Sequence, residues 1–174
     1  SANVVKLEIV APLIAKARKA GHFVIVRVDE NGERIPLTIA DSNVEKGTIT
    51  LVVQKVGVSS SKLCNLNVGD SVLDIVGPLG RATHIEKFGT VVCAGGGVGV
   101  APMLPIIRAM KEAGNKVISV LAGRTKELII LESEVRKYSD EVVIMTDDGS
   151  YGNKGLITAG VETIINREKV DMCV

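Results

Sequence analysis

Residues 91–102 read Val-Val-Cys-Ala-Gly-Gly-Gly-Val-Gly-Val-Ala-Pro, an apolar run that opens into four glycines within five residues. In physical terms this is a buried strand, a tight turn with no side chains in the way, and the start of a helix. Backbone N–H groups at such a turn can approach a pyrophosphate closely, and the helix N-terminus favours its negative charge. The strict G-x-G-x-x-G spacing is not met: counted from Gly95 the third slot holds Val100, and counted from Gly97 it holds Pro102. A Rossmann site also calls for an acid roughly 20 positions on, for the ribose. Here the next strand, 116–121, is followed by Ala122-Gly123-Arg124, a base where the acid belongs. The turn predicts a dinucleotide site of another lineage.

Length and composition bound the rest. A chain of 174 residues allows one domain or two small ones, and 46% hydrophobic with 24% charged residues is ordinary for a globular core. The net charge of +1 offers no electrostatic ground for nucleic acid or an anionic membrane as a partner. No apolar run approaches the ~20 residues of a spanning helix, and no signal peptide is expected. Cys64, Cys93 and Cys173 are far apart, odd in number and without C-x-x-C spacing, so buried free thiols, no metal site and a cytoplasmic protein are expected. With no Trp, two Tyr and two Phe, little aromatic surface exists for stacking a ring. The chain starts without Met and closes on the strand-like 170–174, so a longer native protein is expected. Its intact mass tests this, and a mass matching these residues overturns it.

The two halves differ in period. Residues 4–10, 22–28, 34–40, 48–56 and 71–77 are β-branched runs separated by turn residues, and the Asn31-Gly32 turn tolerates positive φ in a hairpin. Closely spaced strands without long crossovers predict an antiparallel β-barrel over 1–87, with one short helix at 60–66. From 88 onward, strands at 90–94, 116–121, 141–146 and 170–174 alternate with helices at 102–113, 128–138 and 158–167. That alternation predicts a doubly wound α/β domain with a parallel sheet over 88–174.

Four motifs, in this order, carry a resemblance. Residues 34–40 (Arg-Ile-Pro-Leu-Thr-Ile-Ala) lie on a strand, Gly57-Val58-Ser59-Ser60 opens the short helix, Gly77-Pro78-Leu79-Gly80 ends the last barrel strand, and the glycine turn follows. Together they resemble the ferredoxin–NADP reductase superfamily over nearly the whole chain. The likeness is greatest to the small flavoprotein subunits of NADH-dependent ferredoxin:NADP oxidoreductase and sulfide dehydrogenase. The electron-transfer subunit of dihydroorotate dehydrogenase is a near relative. Segments 32–41 and 146–155 are the most specific pieces.

The resemblance implies an FAD-binding barrel followed by an NAD(P)-binding domain. The superfamily's R-x-Y-[ST] strand pairs an Arg with the FAD pyrophosphate, covers the isoalloxazine with an aromatic and brings a hydroxyl to flavin N5. Thr38 matches the hydroxyl, a donor and acceptor, and is the one catalytic candidate. Leu37 stands in the aromatic slot beside Pro36. Ile35 takes the strict Arg slot, with Arg34 one residue early, and a one-residue shift changes the face of a strand. The resemblance also puts Gly57, Ser59 and Ser60 at the flavin diphosphate, and Gly77, Pro78, Leu79 and Gly80 beside the flavin. Read without it, Ser60 is an ordinary N-cap and 77–80 a turn leaving the barrel.

In the second half, Gly95, Gly96, Gly97, Val98 and Gly99 should hold the dinucleotide pyrophosphate. Arg124 and Lys126 fall where the family meets the adenosine ribose or its 2′-phosphate, which leaves NAD(H) and NADP(H) both open. Asp148, Gly149 and Ser150 follow the third strand at the ligand-binding edge; alternatively they form a polar turn. His22 and His84 read as structural. The implied reaction is hydride transfer from nicotinamide to FAD and one-electron delivery to iron–sulfur partners, a larger flavin and iron–sulfur subunit and ferredoxin among them. Relatives bind a [2Fe–2S] centre through a C-terminal cysteine cluster, expected in a full-length protein and not in this chain, since four thiolates are needed. Two alternatives stay open: the dihydroorotate dehydrogenase electron-transfer subunit, and a non-catalytic flavin- or nucleotide-binding partner subunit.

Overall fold

A computed structural model describes residues 3–174 and resolves them into two compact units that part between Thr83 and His84, four residues before the expected boundary.

The first unit contains β1 (Val4–Val10), α1 (Pro12–Ala17), β2 (Phe23–Arg27), β3 (Ile35–Asn43), β4 (Thr48–Gln54), α2 (Val58–Cys64) and β5 (Asp74–Leu79). Its strands form one antiparallel sheet in the order β1-β4-β3-β2-β5. A barrel was expected, and no ladder joining β1 to β5 is among the described pairings. Alternation decides the faces: Val24 and Val26 of β2 are fully buried, as are Ile49 and Leu51 of β4, and α2 lays Leu63 on the same core. Each such side chain contributes roughly 1.5–3 kcal/mol by leaving water. The sequence pattern missed α1, six residues with Pro12 in its first turn, which buries Ile14 and Ala15. The β2–β3 turn also differs from expectation. Neither Asn31 nor Gly32 has positive φ; the Gly32 N–H reaches the Asp29 carbonyl at 2.9 Å and the Asp29 carboxylate accepts the Asn31 N–H at 3.0 Å. An Asp side chain closes this turn where a left-handed Asn-Gly pair was expected.

The second unit contains β6 (Thr90–Gly96), a 3₁₀ turn over Gly97–Gly99, α3 (Val100–Glu112), β7 (Lys116–Gly123), a 3₁₀ turn over Lys126–Leu128, α4 (Glu132–Arg136), β8 (Glu141–Thr146), β9 (Asn153–Lys154), α5 (Ile157–Arg167) and β10 (Met172–Cys173). All ladders are parallel, in the order β10-β6-β7-β8-β9. Residues 91–93 and 117–122 are buried without a break. Successive strand residues face opposite ways, so the helices cover both faces of these strands. The expected helix at 128–138 is instead a turn and a five-residue helix, divided at Leu131, whose φ of 55° is left-handed. The strand expected at 170–174 narrows to Met172–Cys173, and the short β9 was not foreseen.

Candidate functional site

In the first unit the register gathers several of the sequence-predicted residues in one row. Thr38 of β3 lies opposite Phe23 of β2, and Phe23 lies opposite Leu79 of β5. Directly paired residues share a face. Because Val24 and Val26 point to the core, this row belongs to the other side, with Pro36 opposite Ile25 and Val76 opposite it again. The result is a largely apolar outer face, edged by one hydroxyl, on strands whose inner face is already packed. A flat ring system fits there chemically. Gly77-Pro78-Leu79 continues β5, joined by a cis Gly77–Pro78 bond, where the strand was expected to stop at Gly77. Gly80, at φ 85°, turns the chain beside the Phe23 ring.

Two expectations change here. Leu37, placed by the resemblance over the flavin, packs with Ile35 against the core. The aromatic on the outer face is Phe23, which sequence reasoning did not single out. The signal was present in the alternation of 23–27 around Val24 and Val26, but the partner strands were not. Arg34 precedes Pro36 and Thr38 at two-residue spacing and is ion-paired with Asp74. At the start of α2, the Ser60 hydroxyl accepts the N–H groups of Val56 and Gly57, each at 3.0 Å. The nearly buried Ser59 donates to the Glu33 carboxylate at 3.1 Å. Arg34 and Ser59 supply donors suited to a diphosphate, and both meet carboxylates here. His22 accepts the Lys19 N–H through Nδ1, and His84 is paired with Glu86.

In the second unit the glycine turn leaves β6 where the strand order reverses: β7, β8 and β9 follow on one side and β10 returns on the other. Ligands of open α/β sheets bind at the carboxyl ends of strands at such a switch point. Gly95 is buried, and a Cβ on it would meet the Gly99 carbonyl, Val100 Cα and Met103 Cγ at 3.2 Å. Gly97 is left-handed at φ 53°, and a Cβ on Gly97 or Gly99 would meet nothing within 4 Å. The turn is therefore tight underneath and open above, as close approach of a phosphate requires.

The next two strand ends bring the remaining residues to the same edge. Arg124 and Lys126, both exposed, follow β7, and Asp147–Tyr151 follow β8. Backbone bonds join the loops, from Asp147 N–H to the Gly123 carbonyl at 3.1 Å and from Asp148 N–H to the Arg124 carbonyl at 3.3 Å. The Ser150 hydroxyl accepts the Lys126 N–H at 2.9 Å. Hydrogen bonds from Ser150, side chain and backbone, hold the Asp148 carboxyl below its usual range, and the Thr125 hydroxyl does the same for Glu127. Both acids thus stay ionised and serve as loop acceptors, with no sign of the raised pKa a general acid needs.

Among the described residues, no group of three or more His, Cys, Asp or Glu side chains is placed to hold a metal ion. Cys64 and Cys93 are buried, whereas Cys173, expected to be buried, is exposed. Burial pushes the Cys93 thiol up to about 12. These three thiols do not fit an iron–sulfur cluster, which takes four thiolates. No helix among the described residues is long and apolar enough to cross a membrane.

Residues 4–84 match the oxidoreductase FAD-binding domain family. The dihydroorotate dehydrogenase B (NAD(+)) electron transfer subunit homolog of Thermotoga maritima is 44% identical over 163 residues, covering 94% of this chain and 57% of that protein. The corresponding electron transfer subunit of Streptococcus pneumoniae serotype 4 is 32% identical, covering 94% of this chain and 69% of the subunit. Among solved structures, that of an NADH-dependent reduced ferredoxin–NADP oxidoreductase, determined in work on flavin-based electron bifurcation, superposes with a TM-score of 0.92 at 42% identity. It covers 98% of this chain and 62% of that one. Phthalate dioxygenase reductase shares the fold at a TM-score of 0.75 and 17% identity. The antiparallel unit, the parallel unit and their order define a ferredoxin reductase-like flavoprotein fold. The chain belongs to the family of FAD-binding oxidoreductases that includes the electron-transfer subunits of dihydroorotate dehydrogenase B. It spans 57% of the Thermotoga relative's length.

Proposed function

We propose that this chain is the FAD- and NAD(P)H-binding part of a flavoprotein reductase subunit that passes electrons between a pyridine nucleotide, FAD and an iron–sulfur partner. The observation that carries the reading is the glycine turn at the switch point of the parallel sheet, open above Gly97 and Gly99, in a chain whose other unit matches an FAD-binding domain. FAD, when bound, supplies two-electron acceptance from the nicotinamide and one-electron release. The protein's part is to bind and orient. Pro36, Leu79 and Phe23 offer the ring an apolar face, and Thr38 offers a hydroxyl that tunes it by hydrogen bonding. Arg34, Ser59, Ser60 and the Gly57 turn fit the diphosphate, with Glu33 and Asp74 yielding the two donors they hold.

Gly95–Gly99 would receive the nucleotide's pyrophosphate, while Arg124, Lys126 and the Asp148-Gly149-Ser150 loop meet its adenosine half. The natural partner is a larger flavin and iron–sulfur subunit, with ferredoxin as a further electron carrier, in the cytoplasm. A second reading, the electron-transfer subunit of a dihydroorotate dehydrogenase, is favoured by the Thermotoga and Streptococcus relatives. Co-purification from the native source distinguishes the two by the large subunit recovered.

The test is a spectrum of the complete native protein. A yellow protein bleached by NADH or NADPH supports the reading. A colourless protein that takes up no FAD overturns it, and so does a flavoprotein that neither nucleotide bleaches.

A further inference from the structure

The loops after β7 and β8 are tied by a side-chain network that joins Tyr151, inside segment 146–155, to Glu132 on α4. Tyr151 donates its hydroxyl to both Glu132 oxygens, at 3.0 and 3.2 Å, and Arg136 Nε donates to the same carboxylate at 2.8 Å. Lys126 Nζ stands 5.2 Å from the centre of the Tyr151 ring, covering one of its faces. Behind the ring, the buried Thr146 hydroxyl donates to the Tyr151 carbonyl at 2.7 Å and accepts its N–H at 3.2 Å. Glu132 itself follows Leu131, the one non-glycine residue with positive φ among the described residues. A residue in that conformation persists only where its surroundings hold it. The segment from Lys126 to Leu131 is therefore a strap, held at one end by Ser150 and at the other by Tyr151 through Glu132.

We propose that Tyr151 is a positioning residue for the pyridine nucleotide: its bond to Glu132 pins this strap, and with it Lys126, against the carboxyl edge of the sheet where the adenosine half binds. The inference rests on reading that edge as the NAD(P)H site. It assigns Tyr151 no part in hydride transfer. Thr146 secures the backbone of residue 151 independently of the phenol, so removing the hydroxyl frees the strap without unmaking the loop. Glu132 and Arg136 would remain paired at i,i+4, an exposed contact of small worth on its own.

The test uses the complete FAD-loaded protein, with NADH and NADPH as electron donors and ferricyanide as acceptor. Tyr151→Phe should raise the KM for the preferred nucleotide about tenfold, the low end for one hydrogen bond to a charged group, with kcat and bound FAD as in the native protein. Glu132→Ala should match it, and the double variant should be no worse than either single one, because both act through one contact. Glu132→Gln, which keeps an oxygen for the phenol, should restore most of the affinity. An unchanged KM in Tyr151→Phe, a fall in kcat alone, or additive losses in the double variant would overturn the proposal. If the native protein itself takes no electrons from either nucleotide, the reading of the site fails before the role of Tyr151 is reached.

Discussion

Gly99→Ala should make the protein more stable and worse at binding a pyridine nucleotide. Gly99 has φ −62° and ψ −14°, a right-handed conformation that alanine adopts without strain, and a Cβ there meets nothing within 4 Å. Alanine then stabilises by roughly 0.4–1 kcal/mol, mainly by restricting the unfolded chain. The same methyl group stands in the open space where the first N–H groups of α3 would meet a pyrophosphate. Losing one hydrogen bond to a charged group costs about 1.5–3 kcal/mol, a dissociation constant raised roughly 10- to 150-fold. Denaturant melts and nucleotide titrations of the same FAD-loaded protein read the two effects separately. Gly95→Ala is the contrast: its Cβ would press on the Gly99 carbonyl and Val100 Cα at 3.2 Å, backbone that cannot turn aside, and overpacking of that kind costs about 1–3 kcal/mol. An unchanged dissociation constant in Gly99→Ala would remove the turn from the binding site and refute the argument.

Leu51→Ala, in a side chain with no exposed surface, should cost about 2–5 kcal/mol in a urea melt; a loss under 1 kcal/mol (the level of a surface change) would mean that β4 is not central to its core. A thiol reagent at pH 8 should modify Cys173 rapidly and leave Cys64 and Cys93 untouched until the protein unfolds, because both are buried and their thiols are pushed above the ordinary range; fast modification of more than one cysteine contradicts this. The Lys111 ammonium and the Val117 N–H hold the Asp140 carboxyl below its ordinary range. Its contribution is therefore present above about pH 4 and is lost as the pH falls through the lowered value. Asp140→Asn should destabilise at neutral pH and converge with the native protein in acid, and a gap that stays constant with pH would rule the ion pair out as its cause.

The elements most legible in the sequence were those whose signal is local. The glycine turn could be read because four glycines follow a buried strand. Val24 and Val26 announce a half-buried strand by alternation alone. What escaped was set by partners distant in sequence. Phe23 joins an outer-face row only when β3 places Thr38, and β5 places Leu79, on either side of it. Leu37 was assigned by its slot in a motif, yet the parity of β3 turns it inward with Ile35. The helix α1 is too short for a period to register, and Leu131 breaks the 128–138 pattern because a left-handed leucine has no signature in sequence. Tyr151 carries no local signal of its role because Glu132, its partner, lies 19 residues away on another element.

The placement of β10 beside β6 carries a consequence in time. Thr90 gives its N–H to the Asp171 carboxylate, a contact 81 residues apart in sequence, and the Ala94 N–H, just ahead of the glycine turn, goes to the Val174 carbonyl. On a ribosome adding about 5–20 residues per second, β6 emerges and then waits roughly 4–16 seconds for the strand that completes its other side. The antiparallel unit, all of whose strands lie within residues 4–79, has no such debt and can be whole before the parallel sheet begins to pair. In that interval β6 is an exposed, strongly apolar edge, and long-range parallel pairing is slow. The sheet edge that carries the glycine turn should thus be the last part of this chain to mature, and the part most dependent on protection while it does.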